Sequence, residues 1–221
     1  MIIIKSDQEI DIMRTAGKVT AEILEKLESF IKPGVSTMDI DRFVEEFIRK
    51  KEMVPSFKGL YDFPASACVS VNEEVVHGIP SEKRTLQEGD IVSVDTGATY
   101  KGYVSDAART YGVGTISPEA RHLIDTARDS FFEGLKFCKV GYRLSDISHA
   151  IQEKVESEGF GVIRDFVGHG VGRDMHEDPQ IPNFGAPGRG PRLAKGMPLT
   201  APTPPRTASA LKSPTSPFEN S

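Results

Sequence analysis

The chain has 221 residues, which suffices for one sizeable domain or for two small halves that share a core. Its formal net charge of -5 comes from 27 basic and 32 acidic residues without a basic stripe, so a nucleic acid is not expected as a partner. No apolar run approaches the ~20 residues that cross a bilayer. Cys68 and Cys138 lack the spacing of a disulfide framework or a metal site. These features predict a soluble cytoplasmic protein without a membrane partner.

The first elements in the chain are two helices and a strand. Ser6 followed by Glu9 forms a capping box, and apolar residues with a helical period follow until the helix ends at residues 32–34, Lys-Pro-Gly. A second helix is predicted to start at residue 36 or 37. The segment ACVSVN, residues 67–72, is then predicted to be a strand.

The next stretch, IVSVDTGATYKGYVSDAART at residues 91–110, is typical of two strands joined by a short turn. A turn centred between Tyr100 and Lys101 places Asp95 directly opposite Asp106 on one face. Their Cβ atoms would be ~5 Å apart, and two like charges so placed repel each other. The pattern therefore favours a divalent cation bound by both carboxylates. The alternative is a pair of solvated aspartates, separated by a bulged turn that shifts the pairing by one residue.

Two more helices follow the hairpin. Ser117 is suited to the N-cap position and Pro118 to the first helical turn, and this helix continues to about Phe137. Another helix is predicted from Ser145 to about Glu158.

An internal repeat relates the two halves of the chain. The pattern F-x-K-x-G-x-x-x-x-D-I begins at Phe30 and again at Phe137, an offset of 107 residues. The same offset relates the segment LQEG at residues 86–89 to LAKG at residues 193–196. A helix end followed by a capped helix start recurs by chance, but one offset shared by separate elements predicts duplication. We expect two helix-helix-strand halves whose sheets merge into one, with helices on one side, in an α+β fold.

The same repeat predicts a carboxylate at position 202 as the counterpart of Asp95, and Pro202 stands there instead. Pro198 interrupts the strand that is expected after Gly196. From Ala201 onward, 12 of 21 residues are Pro, Ser or Thr, a composition typical of disorder. We therefore expect an incomplete domain over residues 1–197 and a disordered tail over residues 198–221. Either a native tail replaces the end of the domain, or the reading frame departs from its ancestral form near codon 198.

Three of the five histidines lie in loops rich in glycine and proline: His77 in VVHGIP, His169 in VGHGVG and His176 in DMHEDP. His122 and His149 lie in predicted helices, where a surface or packing role is expected. Glycines on both sides of His169 let the backbone approach a ligand closely, although they could also serve only a tight turn.

A mixed set of imidazole and carboxylate ligands is chemically coherent. His169 beside Asp95 and Asp106 would suit Fe(II), Mn, Co or Zn better than Ca. His77 and His176 would then face the substrate or support the ligands, and imidazoles exchange protons near neutral pH. Three residues near His77 in the sequence are either part of the core or the wall of an apolar pocket: Phe57, Phe63 and Cys68.

Four segments together resemble a known family: NEEVVHGIP at 72–80, SVDTGATYKGYVSDAART at 93–110, GHGVGRDMHEDPQIPNF at 168–184 and RLAKGM at 192–197. In this order, and over residues 1–197, they resemble the type I methionine aminopeptidases. The resemblance implies the pita-bread fold, a duplicated α+β arrangement, here with an incomplete second half. It also implies a metal-dependent hydrolase that removes the initiator methionine from nascent proteins. The ribosome is a candidate partner, and a monomer is expected.

The resemblance further implies roles for individual residues. Asp95, Asp106 and His169 would be metal ligands, with Asp106 bridging two divalent ions (Co, Mn, Fe(II) or Zn). His77 would contact the substrate near the scissile bond, and His176 would stabilise the developing oxyanion. Five residues would line the pocket for the methionine side chain, with Leu60 and Met175 in place of the aromatic residues common there: Phe57, Leu60, Phe63, Cys68 and Met175.

The sequence departs from the family in its last residues. The family has a glutamate ligand where Pro202 stands and a second, bridging glutamate further on, whereas the one carboxylate after Asp178 is that of Glu219. Three of five ligands remain, so we expect weak metal affinity and little or no turnover. The alternatives are a non-catalytic peptide- or ribosome-binding protein of the same fold, an inactive truncated product, and an X-Pro peptidase, a class that usually carries an added N-terminal domain.

Overall fold

The computed structural model describes residues 1–200. The predictions that concern Pro202 and the rest of the segment 201–221 lie outside the described residues.

The first two helices form where the capping residues predict them. α1 is Asp7–Phe30, and its N-cap Ser6 forms a capping box with Glu9, in which each side chain accepts the backbone amide of the other residue. α2 is Thr37–Lys50, with an equivalent box between Ser36 and Asp39. Both boxes satisfy amides that the first turn of a helix leaves without partners. Both predicted helix starts are confirmed.

The first half of the chain contains one four-stranded antiparallel sheet. The ten-residue strand β3 lies in the middle, pairs with β1 and β2 along one edge, and pairs with β4 along the other. The strands are β1 Val54–Pro55, β2 Ala67–Val71, β3 Ile91–Tyr100 and β4 Tyr103–Gly112. α1 and α2 cover one face of this sheet, and between them lie the fully buried residues of the larger core: Ile23, Leu27, Ile40, Val44, Ile48, Val92 and Val94.

The register of the β3–β4 hairpin differs from the prediction. Tyr100 pairs with Tyr103, so the turn consists of Lys101 and Gly102 alone, with φ of 48° and 77°. Positive φ at both positions is the geometry of a type I′ turn. Asp106 therefore lies opposite Gly97, and its predicted pairing directly across from Asp95 is wrong by two residues. Side chains alternate with a period of two, so a shift of two residues leaves both carboxylates on one face.

The second half repeats the helical pair. α3 is Pro118–Leu135 with Ser117 as its N-cap, and α4 is Leu144–Ser157. The two helices approach closely at Gly134, where a Cβ atom would press on Ile151 and Ile147. β5, Gly168–Gly170, and β6, Glu177–Ile181, form a two-stranded sheet beyond them. A second, smaller core lies between this sheet and α4: Leu144, Ile147, Ile151, Val155, Phe160, Val162, Ile181 and Leu193.

Backbone contacts repeat at the offset that the sequence motif predicts. An isolated bridge joins Ser36 to Thr85, and another joins Arg143 to Arg192, both partners being displaced by 107 residues. Two backbone hydrogen bonds of the first half recur in the second half. The bond from Thr37 N to Arg84 O (2.9 Å) corresponds to the bond from Leu144 N to Pro191 O (3.0 Å). The bond from Leu86 N to Val35 O (2.8 Å) corresponds to the bond from Leu193 N to Tyr142 O (2.9 Å). The two halves therefore share one plan, and the predicted α+β duplication is confirmed.

The two sheets do not merge within residues 1–200, contrary to expectation. The Val104 amide of β4 donates to the Gly172 carbonyl (2.8 Å) and links them. Beyond Pro198 the chain runs beside β5, where Leu199 bridges to Gly170. Only residues 198–200 of the predicted tail are described, so the domain boundary after residue 197 stays a prediction. No helix in this part of the chain combines the length and apolar character of a membrane span.

Candidate active site

Two largely buried carboxylates stand side by side on one face of the hairpin. Asp95 of β3 and Asp106 of β4 share one face of the sheet, as diagonal neighbours. Loss of solvation and the nearby charge of Asp106 raise the pKa of Asp95 well above its usual value. Oδ1 of Asp106 is buried and has no hydrogen-bond partner within residues 1–200. Two crowded carboxylates with an unsatisfied oxygen fit a divalent cation, whose charge would stabilise both.

His169 of β5 adds an imidazole to this pair. Its Nε2 lies 3.4 Å from Oδ2 of Asp106, and its Nδ1 lies 2.8 Å from the Gly170 carbonyl. A proton on Nδ1 that is donated to this carbonyl leaves the Nε2 lone pair facing the carboxylates, the arrangement typical of a metal-binding histidine. Burial alone lowers the pKa of His169, but the hydrogen bonds to Asp106 and to Gly170 outweigh burial and raise it.

Steric contact with the neighbouring strand explains why glycine follows His169. A Cβ atom on Gly170 would clash with the Asp178 carbonyl of the paired strand β6. Glycine therefore lets β6 pack closely against β5 beside His169. The G-H-G segment is a strand, so its second glycine serves close backbone approach, and the alternative of a tight turn there is wrong.

His176 lies next to His169, with ring centroids 4.5 Å apart. Tyr61 stacks on His176 at 5.9 Å, although the tyrosine is 80% exposed. Burial and the neighbouring His169 lower the pKa of His176. This imidazole is therefore neutral at neutral pH and has an N–H to donate.

His77 lies on the loop after β2 and is exposed. Its backbone has φ of 61°, a left-handed conformation that costs free energy for a residue other than glycine. Its ring meets the edge of Phe166 at 6.1 Å. The following residue, Gly78, lies against β2, and a Cβ atom there would clash with the Val69 carbonyl.

The five residues of the predicted methionine pocket belong to one apolar cluster. Phe57, Cys68 and Met175 are buried in it, and Leu60 and Phe63 pack against them. Cys68 pairs with Asp95 in the sheet register, so the cluster borders the carboxylates. Burial and the two nearby aspartates raise the pKa of the Cys68 thiol to about 12, so the thiol stays protonated.

Gly97 leaves the space that the apolar cluster fills. A Cβ atom on Gly97 would clash with the Ser105 carbonyl and would lie 3.2 Å from Phe57 and 3.3 Å from Met175. The cluster therefore extends to the middle of β3, directly opposite Asp106.

Among residues 1–200, no three His, Cys, Asp or Glu side chains form a group that could hold a metal by themselves. Asp106 contacts His169 and neighbours Asp95, so the three predicted ligands form an incomplete set arranged around one carboxylate. The two further ligands that the resemblance implies fall outside the described residues.

Two aromatic neighbours of the histidines were not predicted. Tyr61 contacts His176 across 115 residues of sequence, and Phe166 contacts His77 across 89. No local pattern marks such pairs, because only the fold brings them together. The position of Tyr61 beside Leu60, a predicted pocket residue, was the one usable signal.

Comparison with known proteins places these features in a family. The model of metallopeptidase family M24 matches residues 11–203. A methionine aminopeptidase of Clostridium acetobutylicum is 59% identical over 199 residues, which cover 90% of this chain and 80% of the relative. The crystal structure of a methionine aminopeptidase from Thermotoga maritima superposes with a TM-score of 0.88 at 50% identity, covering 90% of this chain and 80% of the other.

The fold extends to a second class of peptidase. An Xaa-Pro dipeptidase of Bacillus anthracis superposes with a TM-score of 0.76 at 29% identity, covering 90% of this chain and 54% of the dipeptidase. The two structural similarities together confirm the pita-bread fold.

Proposed function

The chain belongs to metallopeptidase family M24, and from this membership and the geometry of the site we propose that it is a metal-dependent methionine aminopeptidase. It would hydrolyse the first peptide bond of nascent proteins that begin with methionine. The observation that carries the proposal is a juxtaposition. The apolar cluster that contains Phe57, Cys68 and Met175 borders both carboxylates, because Cys68 pairs with Asp95 and because Gly97, which contacts Phe57 and Met175, pairs with Asp106.

Asp95, Asp106 and His169 would hold one or two divalent ions, of which Co, Mn, Fe(II) and Zn suit the mixed ligands. A metal bound there would lower the pKa of its water to about 7 and polarise the scissile carbonyl. A hydrogen bond from Nδ1 to the Gly170 carbonyl would keep His169 in the tautomer whose Nε2 is free to bind such an ion.

The remaining side chains would orient the substrate and move protons. The apolar pocket accepts the methionine side chain and excludes water from it. His176 is neutral, because its pKa is lowered, and would donate its N–H to the oxyanion that develops on the carbonyl. His77 would contact the substrate near the scissile bond and exchange protons there.

Methionine release from the peptide Met-Ala-Ser with added Co²⁺ or Mn²⁺ tests this function. We expect slow release by the wild-type chain, as the predicted impairment implies, and none above background by Asp106→Asn. Asp11→Asn changes an exposed aspartate on α1 and serves as the matched control, with activity equal to wild type. A folded wild-type chain that releases no methionine with either metal would contradict the proposal.

The predicted impairment concerns Pro202, which occupies the position of a glutamate ligand in the family. We propose that metal affinity is weak for this reason, and titration calorimetry with Mn²⁺ measures it. The rival function is a non-catalytic module that binds peptides, which the incomplete ligand set favours. That rival predicts no heat of metal binding but retained binding of Met-Ala-Ser. Measurable metal binding together with turnover excludes the rival.

X-Pro peptidase activity is the second alternative, supported by the shared fold. Hydrolysis of Met-Ala-Ser without hydrolysis of the dipeptide Ala-Pro would exclude it, whereas the opposite preference would exclude a methionine aminopeptidase. A cytoplasmic location, a monomeric state and association with the ribosome stay predictions.

A further inference from the structure

One buried pair of opposite charges has no part in the chemistry above. The ammonium of Lys5 lies 2.5 Å from the carboxylate of Glu177, and the two side chains are only 3% and 7% exposed. No other ion pair within residues 1–200 is buried as deeply on both sides. Each buried charge loses several kcal/mol of solvation, so such a pair is weak evidence for a role in stability. Its contacts indicate a different role.

The Glu177 carboxylate closes the turn between β5 and β6. One oxygen, Oε2, binds Lys5, while Oε1 accepts the backbone amides of Arg173 (2.9 Å) and Asp174 (3.4 Å). The carboxylate thus connects the end of the turn with its middle. This turn carries two of the candidate site residues, Met175 and His176.

Lys5 fixes the carboxylate to the rest of the molecule. Its ammonium also donates to the Ile3 carbonyl (3.1 Å), and its backbone amide donates to the Gly196 carbonyl (2.7 Å). Lys5 therefore contacts the turn from a segment whose backbone is itself held by a hydrogen bond. A Cβ atom on Gly172 would clash with both Lys5 and Glu177, so glycine provides the space in which the charges meet.

The imidazole of His176 depends on this support. In the described part of the chain it makes no hydrogen bond, and its ring contacts are those with His169 at 4.5 Å and Tyr61 at 5.9 Å. Its position is therefore set by the backbone of its own turn, which ends at Glu177. We propose that Lys5 and Glu177 are positioning residues that hold His176 beside the carboxylates. The proposal rests on the function proposed above.

Lys5→Met tests the proposal, with Lys195→Met as the matched control. Lys195 pairs with Asp7 on the surface near the same segment, with side chains 79% and 77% exposed. We expect Lys5→Met to lower kcat for methionine release about 10- to 100-fold, the effect typical of residues that orient an active group, with KM changed less than threefold. Lys5→Arg keeps the charge and should restore part of kcat. Lys195→Met should match wild type, and equal losses in the two variants would contradict the proposal.

A double-mutant cycle shows whether Lys5 acts through His176. In a His176→Ala background, Lys5→Met should lower kcat by less than about twofold, because the group that the pair positions is already gone. An undiminished loss in that background would overturn the proposal.

The variant Lys5→Met/Glu177→Met separates positioning from stability. Replacing both charges leaves no unpaired buried charge, and such replacements are often neutral or stabilising. We expect Tm to recover toward wild type while kcat stays low, because the amides of Arg173 and Asp174 lose their acceptor. Recovery of kcat together with Tm would assign the pair a structural role only.

A readout without turnover distinguishes this inference from the proposed function. In protein labelled with ¹³C at histidine Cε1, in a Zn²⁺ buffer, we expect the signal of His176 to shift in Lys5→Met and in the double variant. The His176→Ala spectrum assigns that signal. If wild type releases no methionine, the proposed function fails while the spectra still test the positioning. An unchanged His176 signal in both variants would overturn it.

Discussion

The two walls of the candidate site are built in different ways. The carboxylate wall, with Asp95 and Asp106, is part of two paired ten-residue strands in register along their whole length. The histidine wall, with His169 and His176, consists of a three-residue strand and a turn, with a register irregularity beside His169. Paired strands fix side-chain direction through many hydrogen bonds, whereas the turn relies on a few side-chain contacts. We therefore expect substitutions that disturb the strand packing of the carboxylate wall to act on stability, and substitutions that disturb the histidine wall to act on kcat.

The largest effect is expected on the carboxylate wall itself, for Asp106→Asn. The substitution removes the charge between Asp95 and His169 and should lower methionine release about 100-fold or more, since it removes a proposed metal ligand rather than a group that supports one. It also relieves the repulsion that raises the pKa of Asp95. The metal-free variant should therefore be at least as stable as wild type at pH 7. Urea unfolding without metal checks the sign, and a clear loss of stability would contradict it.

Gly97→Ala should come next, and it tests whether the carboxylate wall is rigid. The added Cβ atom meets the Ser105 carbonyl, Phe57 and Met175, and overpacking of this kind costs roughly 1–3 kcal/mol. Gly17→Ala on α1 meets nothing within 4 Å and should stabilise the protein by up to about 1 kcal/mol, the helix propensity difference. Thermal unfolding compares the two variants. An equal Tm for both would show that the carboxylate wall relaxes around the added methyl group and is not rigid.

Tyr61→Ala probes the histidine wall with a smaller effect. The exposed ring stacks on His176, and such a pair contributes about 0.5–1.5 kcal/mol, so kcat/KM should fall about threefold to tenfold. Tm should change little, because Tyr61 is largely exposed. A lower Tm with unchanged kinetics would reverse the proposed difference between the walls.

The smallest effect is expected at the turn that sets the register of the carboxylate wall. Lys101 has φ of 48°, and asparagine tolerates this left-handed conformation better than lysine. Lys101→Asn should stabilise the protein by about 0.5 kcal/mol and leave methionine release unchanged. Urea unfolding measures the gain, and any change in release would mean that the turn influences the site.

The same contrast explains what could be predicted from sequence. The capping boxes at Ser6 and Ser36 and the shared face of Asp95 and Asp106 depend on residues near one another in the chain, and all three predictions are confirmed. The register was wrong because Lys101 is not a typical residue of a type I′ turn, so nothing marked the centre of the turn.

Contacts between distant segments could not be predicted in this way. Lys5 and Glu177 are 172 residues apart, and each alone looks like a surface charge. The five residues of the predicted methionine pocket were identified by resemblance to a family. They belong to one apolar cluster, as residues that line one pocket would. The predicted loss of ligands after residue 200 is not tested by the described residues.

The repeated bridges from Ser36 to Thr85 and from Arg143 to Arg192 have a consequence for the order of folding. Each bridge closes a loop of about 50 residues within its own half, so neither half needs the other to form its helical pair. The first half adds the β3–β4 hairpin, whose contacts are local, and the larger core. Local contacts form fastest, so the hairpin half should act as the folding nucleus, and the amides of β3 should exchange with solvent more slowly than those of β5.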